Sequence, residues 1–332
     1  MSAKTKTAVT APSAAVLPLP LPVLEHHGKT LFPLMLQWGD QKRVPPVLLI
    51  TGPAGVGKRS IAYYLAQWLL CENPGGKPGP CGECTPCHRA LKGNWVDFNE
   101  ISSDSDDDHE PAGSTKLKIE QFRKLRETAG FGAHESRFKI HLIHNADHMT
   151  PQASNSVLKI IEEPPKDWIF LLTASDPSLL LPTLVSRCQR LRLRPFPDKE
   201  LLELLNLGGI PRERQALCME LAQGSWGKAV ALADDETWVR RETILRFLKN
   251  PAAELNTIVD WASQGTGELG LLLDQLEQCV HDRLCKTVPT DDRVRSFLVE
   301  RAERMARARQ EMLAPVNKKL LAQDILLPWL EQ

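Results

Sequence analysis

The stretch Gly52-Pro53-Ala54-Gly55-Val56-Gly57-Lys58 constrains the fold of this chain more than any other. It follows directly on four apolar residues, Val47-Leu48-Leu49-Ile50, and runs into a helix-patterned segment from Ser60 to Leu70. A fully apolar strand predicts burial on both faces, as in a parallel sheet. Strand, glycine-rich loop, Lys and helix, in that order, is a P-loop arrangement. Gly52, Gly55 and Gly57 let backbone N–H groups close round a phosphate, the helix N-terminus favours the anion, and Lys58 reaches its outer oxygens. The residue after Lys58, which should ligate Mg²⁺ as Ser or Thr, is Arg59. Ser60 comes one step late, about 100° round the helix. Two readings of the loop stand side by side: a site for ATP or ADP without hydrolysis, and a turn kept for its geometry.

Immediately beyond lies Cys71-x₉-Cys81-x₂-Cys84-x₂-Cys87. Two C-x₂-C steps share Cys84, and Gly75, Gly76, Gly79 and Gly82 free the loop to wrap four thiolates round one tetrahedral ion. With all four positions taken by sulfur, the expected Zn²⁺ is structural and holds no water for catalysis. Cys188, Cys218, Cys279 and Cys285 stand apart from this cluster.

At 332 residues the chain has room for two or three domains. Its formal net charge is +0, so any nucleic-acid contact must come from a local patch. No apolar run reaches the ~20 residues of a bilayer span. The alternating prolines of Leu17-Pro-Leu-Pro-Leu-Pro22 prevent a signal-peptide helix, and residues 1–22 read as a disordered tail on a cytoplasmic protein. Glu25 to Asp40 reads as an amphipathic helix, and Trp95 to Ile101 as a strand. Ser102 to Glu110 is an acidic, solvated loop. Lys116 to Thr128 is a helix whose basic face, including Lys116, Lys118 and Arg123, suits either water or a phosphate backbone.

The central run sets the type of machine. Phe138 to Ile143 reads as a strand, Asn155 to Glu163 as a helix stopped by Pro164-Pro165, and Trp168 to Thr173 as a second buried strand. Leu181-Pro-Thr-Leu-Val-Ser-Arg-Cys188 follows. Together with the Cys cluster, Asn155-Ser-Val-Leu-Lys-Ile-Ile-Glu-Glu-Pro-Pro165 and Phe170-Leu-Leu-Thr-Ala-Ser-Asp-Pro177, this run resembles the AAA+ clamp-loader subunits of bacterial DNA polymerase III. Within that group it looks most like the delta-prime type. The resemblance covers about residues 45 to 230.

The resemblance implies a heteropentamer that opens a sliding clamp and closes it on primed DNA, with motor and delta-type subunits as partners. It implies that Arg187, in Ser186-Arg-Cys188, is an arginine finger acting in trans on a neighbour's ATP, a role suited to the planar guanidinium fork. It places Thr173 to Asp176 at the sensor-1 strand end and Lys228, in Gly224-Ser-Trp-Gly-Lys-Ala229, at the sensor-2 position. Where motor subunits carry the Walker B Asp-Glu pair, this chain has His144-Asn145. With Arg59, these positions argue against hydrolysis.

The expected fold is thus an α/β P-loop NTPase (AAA+) module with a parallel sheet, over 23–195, with the zinc loop inserted at 71–87. A small helical lid over 196–235 and an all-α C-terminal bundle over 236–332, the collar by resemblance, complete it. Two other functions compete with a non-hydrolysing stator: an active motor-type ATPase using an unrecognised acid, and a DNA reader built on the zinc loop.

Overall fold

The computed structural model describes residues 19–40, 43–74, 79–102, 117, 119–127, 132–285, 292–312 and 316–331. The acidic run beyond Ser102 and the basic residues Lys116 and Lys118 lie outside them, as do the first 18 residues of the expected tail. The chain divides into two compact units, Met1–Ala233 and Asp234–Gln332.

The first unit is built on a parallel sheet of β1 (Val47–Thr51), β2 (Phe98–Ile101), β3 (Lys139–Ile143), β4 (Trp168–Ala174) and β5 (Gln189–Arg192), in the order β2-β3-β4-β1-β5. Every residue of β1 and β4 is buried, because these strands are covered on both faces. Leu48 and Ile50 pack into one core with α1 (Leu21–Asp40) and α2 (Lys58–Leu70). Val47 and Leu49 pack into the other with α4 (Ile119–Glu127), α5 (Pro151–Glu162) and α6 (Pro182–Val185). α3 (Thr85–Leu91) lies at the end of the Cys cluster, and α7 (Asp198–Leu207), α8 (Arg212–Ala222) and α9 (Trp226–Ala233) follow β5 within the same unit.

α1 begins at Leu21 and Leu19 is already buried, so helix and core start inside the segment expected to be a tail. α5 begins four residues before the expected Asn155, because Thr150 caps it, Oγ1 accepting from Ala153 N–H at 3.2 Å, and Pro151 fits its first turn. It stops before Pro164-Pro165, whose rings exclude further helix.

The second unit is helical among the described residues: α10 (Asp235–Lys249), α11 (Pro251–Ala262), α12 (Thr266–Cys285), α13 (Asp292–Glu311) and α14 (Lys318–Leu326). Ile244, Phe247, Leu272, Leu276, Met305, Ile325 and Trp329 fill its own core.

Candidate functional site

The P-loop sits at the C-terminal end of β1, and the geometry there is set by hydrogen bonds within the chain. Lys58 Nζ donates to Gly52 O (2.9 Å), Pro53 O (3.0 Å) and Ser175 Oγ (2.9 Å). The side chain is buried, and desolvation pushes its pKa down to about 8 against the opposing charge of Asp147. The start of α9 and the turn before it pack on the loop. Ser225 Oγ donates to Ala54 O at 2.8 Å, and Gly227 N–H to Gly55 O at 2.8 Å. Gly55 has φ +75°, and a Cβ there would meet Ser225 Oγ at 2.3 Å; one on Gly227 would lie 2.9 Å from Gly55 Cα. The two glycines form a seam that no side chain fits. From the other side, His27 Nε2 bonds Val56 O at 2.9 Å, and burial lowers the pKa of this ring to about 4.

Arg59 turns away from the loop. Its Nε lies 2.7 Å from Glu100 Oε1 on β2 and its Nη2 donates to Glu100 Oε2 at 2.9 Å, while Tyr63 O–H donates to the same Oε2. Burial first, then the hydrogen bond to Glu100, pushes the Tyr63 hydroxyl up to about 12. At the Walker B position His144 Nδ1 pairs with Thr173 Oγ1 at 2.9 Å, and Thr173 Oγ1 accepts from Asn145 N–H at 3.0 Å. Asn145 is left-handed, with φ 53°. Asp147 Oδ2 accepts from Ser175 N–H (2.8 Å) and Asp176 N–H (2.9 Å), which pins the end of β4 beside Lys58. Asp147 Oδ1 is buried with no hydrogen-bond partner among the described residues.

Sequence reasoning missed the parts played by Asp147, Ser225 and Glu100, and did not single out Ser175 within Thr173 to Asp176. None of them has a local signature; each reaches its partner from another element. Lys228 lies at the surface on α9, and its N–H donates to Ser225 Oγ at 3.2 Å. Arg187, just past α6, is also exposed; its Nη1 donates to Thr183 O at 2.9 Å and its Nη2 lies 3.1 Å from Glu162 Oε1.

Cys71, Cys81, Cys84 and Cys87 come together, their Sγ atoms all within 4.8 Å of one another. The Cys81–Cys87 and Cys71–Cys84 separations are both 3.9 Å. Four sulfurs about 2.3 Å from one ion would stand roughly 3.8 Å apart at the corners of a tetrahedron. The N–H groups of Cys81 and Cys84 donate to Cys71 Sγ and Cys81 Sγ, each at 3.4 Å. Such donors favour thiolate: the backbone amides of Glu83 and Cys84 bring the Cys81 pKa down to about 6. The donor set fits a metal ion, with Cys71 ending α2 and Cys87 carried by α3.

A family model described as "DNA polymerase III, delta subunit" matches residues 30–197. The chain belongs to this family. The match takes in the sheet, the P-loop, the Cys cluster and Arg187. The family member "DNA polymerase III subunit delta'" of Yersinia pestis is 29% identical over 315 residues, 85% of this chain and 88% of that one. Its counterpart from Pseudomonas aeruginosa is 29% identical over 329 residues, 89% and 95% of the two chains. "DNA polymerase III subunit tau" of Escherichia coli (strain K12) is 34% identical, over only 58% of this chain. The chain spans under a third of the length of that tau subunit, 29%. These findings bear out the resemblance to the DNA polymerase III subunits of the delta-prime type. Among the described residues, no helix is long and apolar enough to cross a membrane.

Proposed function

We propose that this chain is a non-hydrolysing, delta-prime-like stator of the DNA polymerase III clamp loader, working in the cytoplasm. Its partners are motor and delta-type subunits, with the sliding clamp and primed DNA engaged by the whole assembly. It lends Arg187 across a subunit boundary and turns over no ATP itself.

The observation that carries this reading is the fate of Arg59. A P-loop hydrolase needs a small hydroxyl there to hold Mg²⁺. Here a guanidinium takes the position and is bound through two nitrogens to Glu100. At the neighbouring position His144 Nδ1 pairs with Thr173 Oγ1, and Asn145 carries a carboxamide, which cannot take a proton from water as a carboxylate can. The Arg187 side chain is 42% exposed and held by a solvent-open pair with Glu162 and a hydrogen bond to Thr183 O, which supports its reaching a neighbour. The Cys cluster is assigned a structural Zn²⁺, which ties the end of α2 to α3.

The test is an ATPase assay on the purified chain, alone and reconstituted with motor subunits. The chain alone should not hydrolyse ATP, and Arg187→Ala should cut turnover at the neighbouring site by about 10³-fold. Full turnover with Arg187→Ala would sink the finger.

A second reading, an active ATPase, draws on Asp147, whose charge acts on Lys58 and whose Oδ1 is unpartnered. It predicts turnover by the isolated chain that Asp147→Asn abolishes.

A further inference from the structure

The edge strand β5 carries a charge pattern that the stator reading does not use. Along it, exposed and buried residues alternate: Arg190, Arg192 and Arg194 lie at the surface, while Leu191 and Leu193 are each 1% exposed. The leucines fill the core shared with α1 and α2, so the arginines line the opposite face. Among the described residues β5 pairs with β1 alone, and Leu193 N–H extends the pairing by donating to Thr51 O at 2.8 Å. None of the three guanidiniums has an ion pair or side-chain hydrogen bond among the described residues. From Pro177 to Pro197 the sequence contains Arg187 and these three arginines and not one Asp or Glu, in a chain whose formal charge is +0. The next acids in sequence, Asp198 and Glu200, begin α7, where Glu200 is already occupied by His26 and Lys29.

Cationic side chains on an edge strand also deter sheet-to-sheet association. Lys would serve that purpose. Arginine brings a planar fork suited to phosphate oxygens. On a strand, every second residue advances by about 6.6 Å. A nucleic-acid strand carries one phosphate per nucleotide, so a row of guanidiniums can meet several charges of the backbone at once.

We propose that Arg190, Arg192 and Arg194 form a docking strip for the phosphodiester backbone of nucleic acid. The strip goes beyond the stator role and does not include Arg187, which faces Glu162 before the start of β5.

The experiment uses the full chain, with a labelled single-stranded oligodeoxynucleotide and its duplex as probes, titrated from about 50 to 200 mM salt. The wild type should bind at least one probe, and the two arms tell which form is taken. The triple variant R190Q/R192Q/R194Q should weaken binding at least tenfold at the lowest salt. At about 0.7 of slope per phosphate, it should flatten the log–log salt dependence for single strands by about 2. R190K/R192K/R194K should keep the slope, because it keeps the charges. If the triple Gln variant does not fold, R190Q and R192Q singly should each remove about 0.7 of slope. Wild-type affinity and slope in the Gln variants, or no binding of either probe by the wild type, would overturn the strip. Aggregation of the Gln variant with unchanged DNA binding by its soluble fraction would make the row an edge guard. Competition by polyglutamate as effective as by DNA would reassign it to an acidic protein partner.

Discussion

Arg187 and Glu162 face each other across the gap between α6 and the end of α5, Nη2 to Oε1 at 3.1 Å, with each side chain more than two-fifths exposed. An ion pair so open to water is worth about 0–1 kcal/mol. So weak a pair holds the guanidinium loosely, and in the proposed finger role a phosphoryl group would displace the carboxylate at little cost. Glu162→Gln should therefore leave the thermal midpoint unchanged and raise a neighbour's ATPase in the reconstituted assembly by about 2- to 5-fold, the rate equivalent of freeing Arg187 from that pair. Arg187→Lys should lower the same rate, since it keeps the charge and loses the fork. Steady-state hydrolysis by the assembly reads both, and an equal loss from Glu162→Gln would mean that Glu162 positions the finger instead.

The four clustered cysteines give a second expectation. Purified chain should carry one metal ion, released on treatment with a thiol-modifying mercurial and counted with a colorimetric chelator. Because Cys87 is fully buried and Cys81 is exposed, Cys87→Ala should destabilise the first unit more than Cys81→Ala, in thermal melts of metal-loaded protein. Equal melts for both variants, with no metal in the wild type, would leave the cluster as reduced cysteines only.

What could be read from the sequence was local. The apolar runs of β1, β3 and β4, the glycine-rich turn, the proline stop after α5 and the cysteine spacing each carry their cause within a few residues. Thr150-Pro151, a cap and first-turn pair, likewise carries a local signal for the start of α5, four residues before Asn155. What could not be read was which remote group each loop residue would meet. Arg59 finds Glu100 41 residues away, Lys58 finds Ser175 at 117, and Ala54 meets Ser225 at 171. These partners are chosen by the sheet order β2-β3-β4-β1-β5, which sequence spacing does not encode. The same order makes β5 an edge, and so turns three alternating arginines into a surface feature.

The Gly55–Gly227 seam leads to a third prediction. A Cβ on Gly227 would sit 2.9 Å from Gly55 Cα and 3.3 Å from its carbonyl oxygen, both backbone atoms that cannot swing aside. Gly227→Val should push α9 off the P-loop and break the Gly227 N–H to Gly55 O bond. The expected cost is about 1–3 kcal/mol of overpacking, measured by urea denaturation. Gly93→Ala is the control: it too has positive φ but has open space around it, and it should cost only backbone strain of about 1 kcal/mol. If Gly227→Val melts like wild type, α9 does not bear on the loop in solution.

His141 gives the last prediction, on acid stability. The ring lies on β3 between Trp168, 4.2 Å between centroids, and Phe170, 5.4 Å away. It is 1% exposed, and neither nitrogen has a hydrogen-bond partner among the described residues. Desolvation, with a smaller push from Lys139, lowers its pKa to about 3. A base with a folded pKa below its unfolded value, near 6.5, binds its proton more readily in the unfolded chain. Its contribution to stability is thus complete above pH 6.5 and drains away as pH falls towards 3, at about 1.4 kcal/mol per pH unit. His27, lowered to about 4 chiefly by burial, adds in the same direction between pH 6.5 and 4. His141→Phe keeps an aromatic ring between Trp168 and Phe170 and removes the proton acceptor. The variant should equal or exceed wild type at pH 7 and gain about 2–3 kcal/mol over it at pH 4.5, in denaturant titrations run at both values. Parallel losses in the two proteins as pH falls would show that His141 takes up its proton as readily folded as unfolded.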